Sequence, residues 1–132
     1  MEFFDLPGDP QAAFPYSQGV RCGGFLFVAG QLAADEPGFA VGLGDIEAET
    51  RTAMQRIGRI LAAAGSGFAH VVRVGVFMTD LGEFARMNAV YREFFPSGRL
   101  PARTCVGVAS LLDGCRIEID CVARVPPADL AA

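Results

Sequence analysis

Arg103, Cys105 and Glu118 are the residues of this chain best suited to chemistry on a small molecule. They lie in two short runs, Pro101-Ala102-Arg103-Thr104-Cys105-Val106 and Ile117-Glu118-Ile119. A guanidinium is planar, always charged, and grips a carboxylate through two parallel hydrogen bonds. A glutamate can take a proton from water and return it to a leaving group. Both runs have the composition of strands, along which alternate side chains share a face. Read as one hairpin with its loop centred near Leu111-Leu112, they set Cys105 opposite Glu118, with Arg103 next to it. That places a carboxylate-binding fork and an acid–base group on one sheet face. The bland alternative is a structural ion pair of Arg103 with Glu118 or Asp120.

Three more residues stand out. Asn88 falls within an apolar helical stripe, and a buried amide must be hydrogen-bonded. It either ties the helix to a nearby loop backbone or contacts a ligand. Tyr16 sits in the loop Phe14-Pro15-Tyr16-Ser17-Gln18-Gly19, and loops carry function more often than strands do. Cys105 has no histidine near it in sequence to activate it as a nucleophile, so a backbone N–H donor or a packing role fits it better.

Composition removes several classes. All eleven basic residues are arginines, so no lysine is present to form a Schiff base, and a P-loop lysine is missing too. The net charge of -4 offers no basic footprint for nucleic acid. No apolar run approaches a membrane span, and the start lacks a signal-peptide pattern. The four cysteines form no C-x-x-C pair and there is one histidine, His70, which argues against a zinc site. The thiols are expected to be reduced in a cytoplasmic protein, with Cys22, Cys115 and Cys121 as small core residues.

The elements that must position these residues are legible along the chain. A length of 132 residues suits a single domain spanning 1–132. Residues 1–18 predict a short strand and an irregular loop. Val20-Arg21-Cys22 and Phe25 to Ala29 flank Gly23-Gly24, a hairpin signature. A Gly-rich loop covers Ala33 to Gly44. Asp45 then caps a helix whose apolar positions are Ile46, Thr50, Ala53, Met54, Ile57, Leu61 and Ala64, ending at Gly65-Ser66-Gly67. Val71 to Met78 predicts a central strand buried on both faces. Asp80 and Glu83 open a second helix like a capping box; Phe84, Met87, Tyr91, Phe94 and Phe95 form its stripe, and Pro96 stops it. The order β-β-β-α-β-α-β-β predicts an α+β fold, a single mixed β-sheet with two helices packed on one face. The other face, partly apolar, predicts self-association.

Pro15-Tyr16-Ser17-Gln18-Gly19, Val28-Ala29-Gly30-Gln31, Asn88-Ala89-Val90-Tyr91-Arg92-Glu93-Phe94-Phe95 and the two C-terminal runs together resemble the RidA, or YjgF, family of reactive imine/enamine deaminases. The resemblance implies a chorismate-mutase-like fold assembled as a homotrimer, with sites in the clefts between subunits. It implies a hydrolase that converts 2-imino acids and their 2-aminoacrylate-type enamine tautomers to 2-oxo acids and ammonia, without cofactor or metal. Arg103 then holds the substrate carboxylate and Glu118 the attacking water. Tyr16, Asn88 and the backbone near Gly30 and Cys105 line the site. Ala29 stands where the family commonly has serine, which removes a hydroxyl beside the substrate. The competing reading is a non-enzymatic trimer that binds small carboxylates or a protein partner through the same cleft. A chorismate mutase on the same scaffold fits the motifs less well.

Overall fold

The computed structural model describes residues 1–9, 13–39 and 43–128. Eight elements follow one another: β1 (Glu2–Phe4), β2 (Gly19–Cys22), β3 (Phe25–Leu32), α1 (Ile46–Ala63), β4 (Val71–Met78), α2 (Phe84–Arg92), β5 (Ala102–Gly107) and β6 (Ile117–Arg124). This is the predicted order.

Local chemistry explains most of the boundaries. Gly23 takes a φ of 61°, which closes the tight β2–β3 turn at no steric cost. The Asp45 carboxylate accepts from the backbone N–H groups of Glu47 and Ala48 at 3.0 and 3.3 Å. Such a cap contributes about 1 kcal/mol. Ile46, Thr50, Ala53, Met54, Ile57, Leu61 and Ala64 are all buried, as their spacing requires. The start of α2 differs from the expected capping box. Asp80 accepts from Gly82 N–H and opens a short turn over Leu81–Glu83, and α2 begins after it. Glu83 does not fold back on the cap, because Arg116 Nε donates to it at 2.7 Å.

The six strands form one sheet in the order β1-β2-β3-β6-β4-β5. Neighbours are antiparallel except β4 and β5, which are parallel. The helices cover one face. Met54, Ile57, Ile60 and Leu61 from α1 and Met87 and Tyr91 from α2 pack with Leu26, Val28, Val74, Val76, Ile117 and Ile119 from the sheet. On the other face Phe25 and Phe27 remain about half exposed, at 46% and 50%, and Phe3 and Val106 are exposed too. β4 is fully covered on the helix side at Val74, Val76 and Met78; on the other side Gly75 is buried, Phe77 is half-buried and Arg73 is exposed.

Two further expectations are corrected. β5 and β6 do not form a hairpin, because β4 lies between them and bonds to both. Cys22 is exposed at the end of β2, whereas Cys115 and Cys121 are buried. Among the described residues, no helix is long and apolar enough to cross a membrane.

Candidate functional site

The inserted strand decides where the chemistry points. In β4, Val74 pairs with Arg103 on one side and Cys121 on the other; Val76 pairs with Cys105 and Ile119. Phe77 pairs with Glu118, and Gly75 with Asp120. Paired residues share a face, so Arg103 and Cys105 lie on the helix side while Glu118 and Asp120 lie on the open side. A direct hairpin would have set Cys105 opposite Glu118. The passage through β4 offsets the alignment by one residue, and a one-residue offset moves a side chain to the other face.

Arg103 is half-buried on β5, an edge strand. Its Nη1 donates to Asn88 Oδ1 at 2.8 Å. Its guanidinium lies over the rings of Tyr91 and Phe84, 4.8 and 5.4 Å from their centroids. Both rings lie within cation–π range of the charge and hold it in place. Asn88 thus fixes a side chain, not a loop backbone. Among the described residues no carboxylate pairs with Arg103, so the ion pair with Glu118 or Asp120 is absent from the protomer. Asn88, Tyr91, Leu100, Pro101 and Arg103 line a cavity of about 280 Å³. Cys105 follows on the same face, its thiol donating to the Met78 sulfur at 3.7 Å. Burial pushes that thiol up, against the opposing pull of Arg103, so it is a poor nucleophile.

Glu118 opens onto a second cavity of about 410 Å³, lined by Tyr16, Ala29, Gly30, Leu32, Asp35 and Asp113 among others. The β3–β6 register shifts between Val28 and Gln31, so Ala29 and Gly30 together oppose a single residue of β6. This is a β-bulge, and it re-aims the strand toward the cavity. Gly30 leaves room for this carboxylate: a Cβ at this position would run into the Glu118 side chain and displace it. Burial raises the pKa of Glu118 above the usual carboxylate range, and Asp120 and then Asp35 add to it. Burial also raises Asp35, in spite of the nearby Arg56 charge, and raises the Tyr16 hydroxyl.

A buried network that sequence reasoning passed over holds this second cavity in place. Arg56 of α1 is 1% exposed. It pairs with Asp9 at 2.6 Å and Glu36 at 2.7 Å, and its Nε donates to Gln31 Oε1 at 3.1 Å. Gln18 Nε2 donates to Asp9 Oδ2 at 2.6 Å, and Gln31 Nε2 to the Ala29 carbonyl at 3.1 Å. The loop that carries Tyr16 and the bulge that carries Gly30 are thus fastened to one arginine. The signal was present: Arg56 falls on the apolar stripe, between Ala53 and Ile60.

The described residues therefore form two separate clusters. Arg103, Asn88 and Cys105 make one; Tyr16, Ala29, Gly30 and Glu118 make the other. The first can bind a carboxylate and the second can move a proton. Among the described residues no cluster of three or more His, Cys, Asp or Glu side chains could hold a metal ion.

The sequence matches the family model described as Endoribonuclease L-PSP over residues 7–125. A RutC family protein of Synechocystis is 40% identical over 127 residues, covering 96% of this chain and 98% of that protein. The 2-iminobutanoate/2-iminopropanoate deaminase of Bos taurus is 37% identical over 123 residues, covering 93% and 89%. Among solved structures, the YjgF gene product of E. coli matches with a TM-score of 0.87 at 32% identity, covering 96% of this chain and 100% of that one. E. coli TdcF with bound serine matches with a TM-score of 0.85 at 31% identity, covering 94% and 98%. This chain belongs to the Endoribonuclease L-PSP family, the family of YjgF and RidA.

Proposed function

We propose that this protein is a cofactor-independent deaminase that hydrolyses 2-imino acids and their enamine tautomers to 2-oxo acids and ammonia, and that it works as a homotrimer. The observation that carries this reading is the division of the site. Among the described residues no carboxylate pairs with Arg103 and no cation pairs with Glu118, and the two lie on opposite faces of one sheet. A neighbouring copy that seats its β5 edge against the open face completes both half-sites at once. The exposed phenylalanines of that face give the association its apolar surface. The deaminase name of the bovine relative and the serine held by TdcF, an α-amino acid with a carboxylate, support the same substrate class.

The chemistry follows from the side chains. Arg103 of one copy takes the substrate carboxylate in a bidentate grip, oriented by Asn88 and the two rings, which supplies proximity. Tyr16, Ala29, Gly30 and the backbone at Cys105 line the rest of the cleft. Glu118 of the other copy accepts a proton as water oxygen bonds to the imine carbon. The resulting carbon carries both hydroxyl and amino groups. The imine enters with its nitrogen protonated, so Glu118 delivers the water proton to the amino nitrogen, the C–N bond breaks, the hydroxyl proton passes to the released ammonia, and a 2-oxo acid and an ammonium ion leave. An imine carbon is already electrophilic, so this step asks no more than orientation and one proton carrier.

A coupled assay tests the reading. A dehydratase or an amino-acid oxidase generates the imine in place, and 2-oxo acid formation is followed with and without this protein. Faster formation with wild type, and not with Arg103→Ala, is expected. No acceleration for any imine, together with tight binding of a small carboxylate, would turn the protein into the binding trimer.

A further inference from the structure

Asp120 has no part in the reaction just described, yet its setting is built. It lies two residues from Glu118 on the same face of β6. One of its carboxylate oxygens, Oδ1, is buried and has no hydrogen-bond partner among the described residues. On one side it leans over Gly75 of β4, where a Cβ would collide with that oxygen. On the other side it faces the Ala29–Gly30 bulge, the two residues that share its place in the ladder. Gly30 in turn makes the space that Glu118 fills. Two flanking strands have thus given up side chains, at Gly75 and at Gly30, to admit two neighbouring carboxylates. A buried carboxylate oxygen without a donor is costly and calls for a compensating role.

We propose that Asp120 is a positioning residue whose negative charge sets when Glu118 carries its proton. The inference rests on Glu118 as the proton carrier of the deaminase. A base that must give its proton back to nitrogen works best when its affinity for that proton is close to the operating pH. A lone exposed glutamate holds it too weakly. A second carboxylate on the same face makes the ionised form less favourable, and the half-buried setting of Glu118 strengthens the effect.

The other charges around Glu118 are few. Asp35, beyond the end of β3, acts in the same direction as Asp120. Asp113, before β6, and Tyr16, before β2, line the same cavity. On β4 its neighbours are Gly75 and Phe77, with Arg73 further along the face. In the proposed assembly an Arg103 from the adjoining copy opposes the effect. A change at Asp120 leaves all of these in place, so the difference between variants isolates it.

The experiment is a carboxyl-carbon NMR titration of Glu118 in the full-length protein, with glutamate labelled, for wild type, Asp120→Asn and Gly75→Ala. Asp120→Asn keeps the shape and removes the charge, and it should lower the Glu118 midpoint by roughly half a pH unit or more. Gly75→Ala keeps the charge but displaces the carboxylate, and it should move the midpoint in a different amount from Asp120→Asn. The acid limb of kcat/KM against pH should shift with the midpoint in Asp120→Asn. A Glu118 midpoint identical in all three proteins overturns the proposal. A midpoint that moves in a protein without imine hydrolysis supports the charge coupling and sinks the deaminase reading instead.

Discussion

Arg103 and Glu118 leave the sheet in opposite directions, the first under the helices beside Tyr91 and the second onto the uncovered face beside Gly30. A single copy therefore cannot bring them to one substrate. Two copies can. In the proposed deaminase the quaternary arrangement is therefore a property of the catalytic step, which gives the proposal a direct genetic test.

Arg103→Ala and Glu118→Gln should each be nearly inactive as pure proteins. Loss of a desolvated bidentate partner costs roughly 2–5 kcal/mol. Mixed by joint unfolding and refolding, the two variants should regain up to about a quarter of wild-type activity, since a random cyclic assembly leaves that share of clefts with one intact arginine and one intact glutamate. Size-exclusion chromatography with light scattering checks that both variants still assemble. If the mixture stays as inactive as its parts, the site does not span copies.

Arg56 is expected to behave as the opposite kind of arginine. Arg56→Met should leave Asp9 as a buried charge without its main partner. Breaking one side of a buried pair costs roughly 3–5 kcal/mol. The variant should show a large drop in denaturation midpoint, whereas Arg103→Ala should barely change it. Equal midpoints for Arg56→Met and wild type would mean that the network does not hold the Tyr16 loop.

Ala29→Ser should tune activity, not create or abolish it. The side chain lines the cavity beside Glu118, and a neutral hydrogen bond contributes about 0.5–1.5 kcal/mol. Imines from serine, threonine and leucine, assayed on both proteins, should show the preference moving toward the small substrate by a factor of several. An identical profile would make the position neutral.

The cysteines should react in a fixed order. Cys22 is exposed and should be alkylated first. Cys105 should follow slowly, because burial holds its thiol protonated. Cys121 should not react in the native protein, since burial, with a smaller push from Asp120, raises its pKa to about 12. Native alkylation followed by mass spectrometry reads the order directly, and early labelling of Cys121 would contradict the packing of the sheet.

Much of this was legible in the sequence because it depends on local signals. The cap at Asp45, the turn at Gly23 and the apolar stripe from Ile46 to Ala64 each follow from a few neighbouring residues. The placing of β6 does not. Strands next to one another in sequence pair about two times in three, and nothing within Ala102–Arg124 says that β4 intervenes. The same non-local fact hid the division of the site. The residues were identifiable by type, but the face each one takes depends on a register set by a distant strand. Arg56 was missed for another reason. A charge on an apolar stripe reads as a lapse in periodicity until its partners, at Asp9, Gln31 and Glu36, are known to converge on it.

β6 comes last among the eight elements and yet lies between β3 and β4. Every ladder that links the β1-β2-β3 group to the β4-β5 pair runs through it. Until Ile117–Arg124 is in place, the sheet is two unconnected halves with open edges at β3 and β4. Such late, long-range closure makes folding slow and leaves strand edges exposed on the way. It also means that the strand bearing Glu118 is the one that locks the halves together. In the proposed assembly an incompletely folded copy then has neither a continuous face to offer a neighbour nor a proton carrier to lend it, so such an interface selects for finished chains.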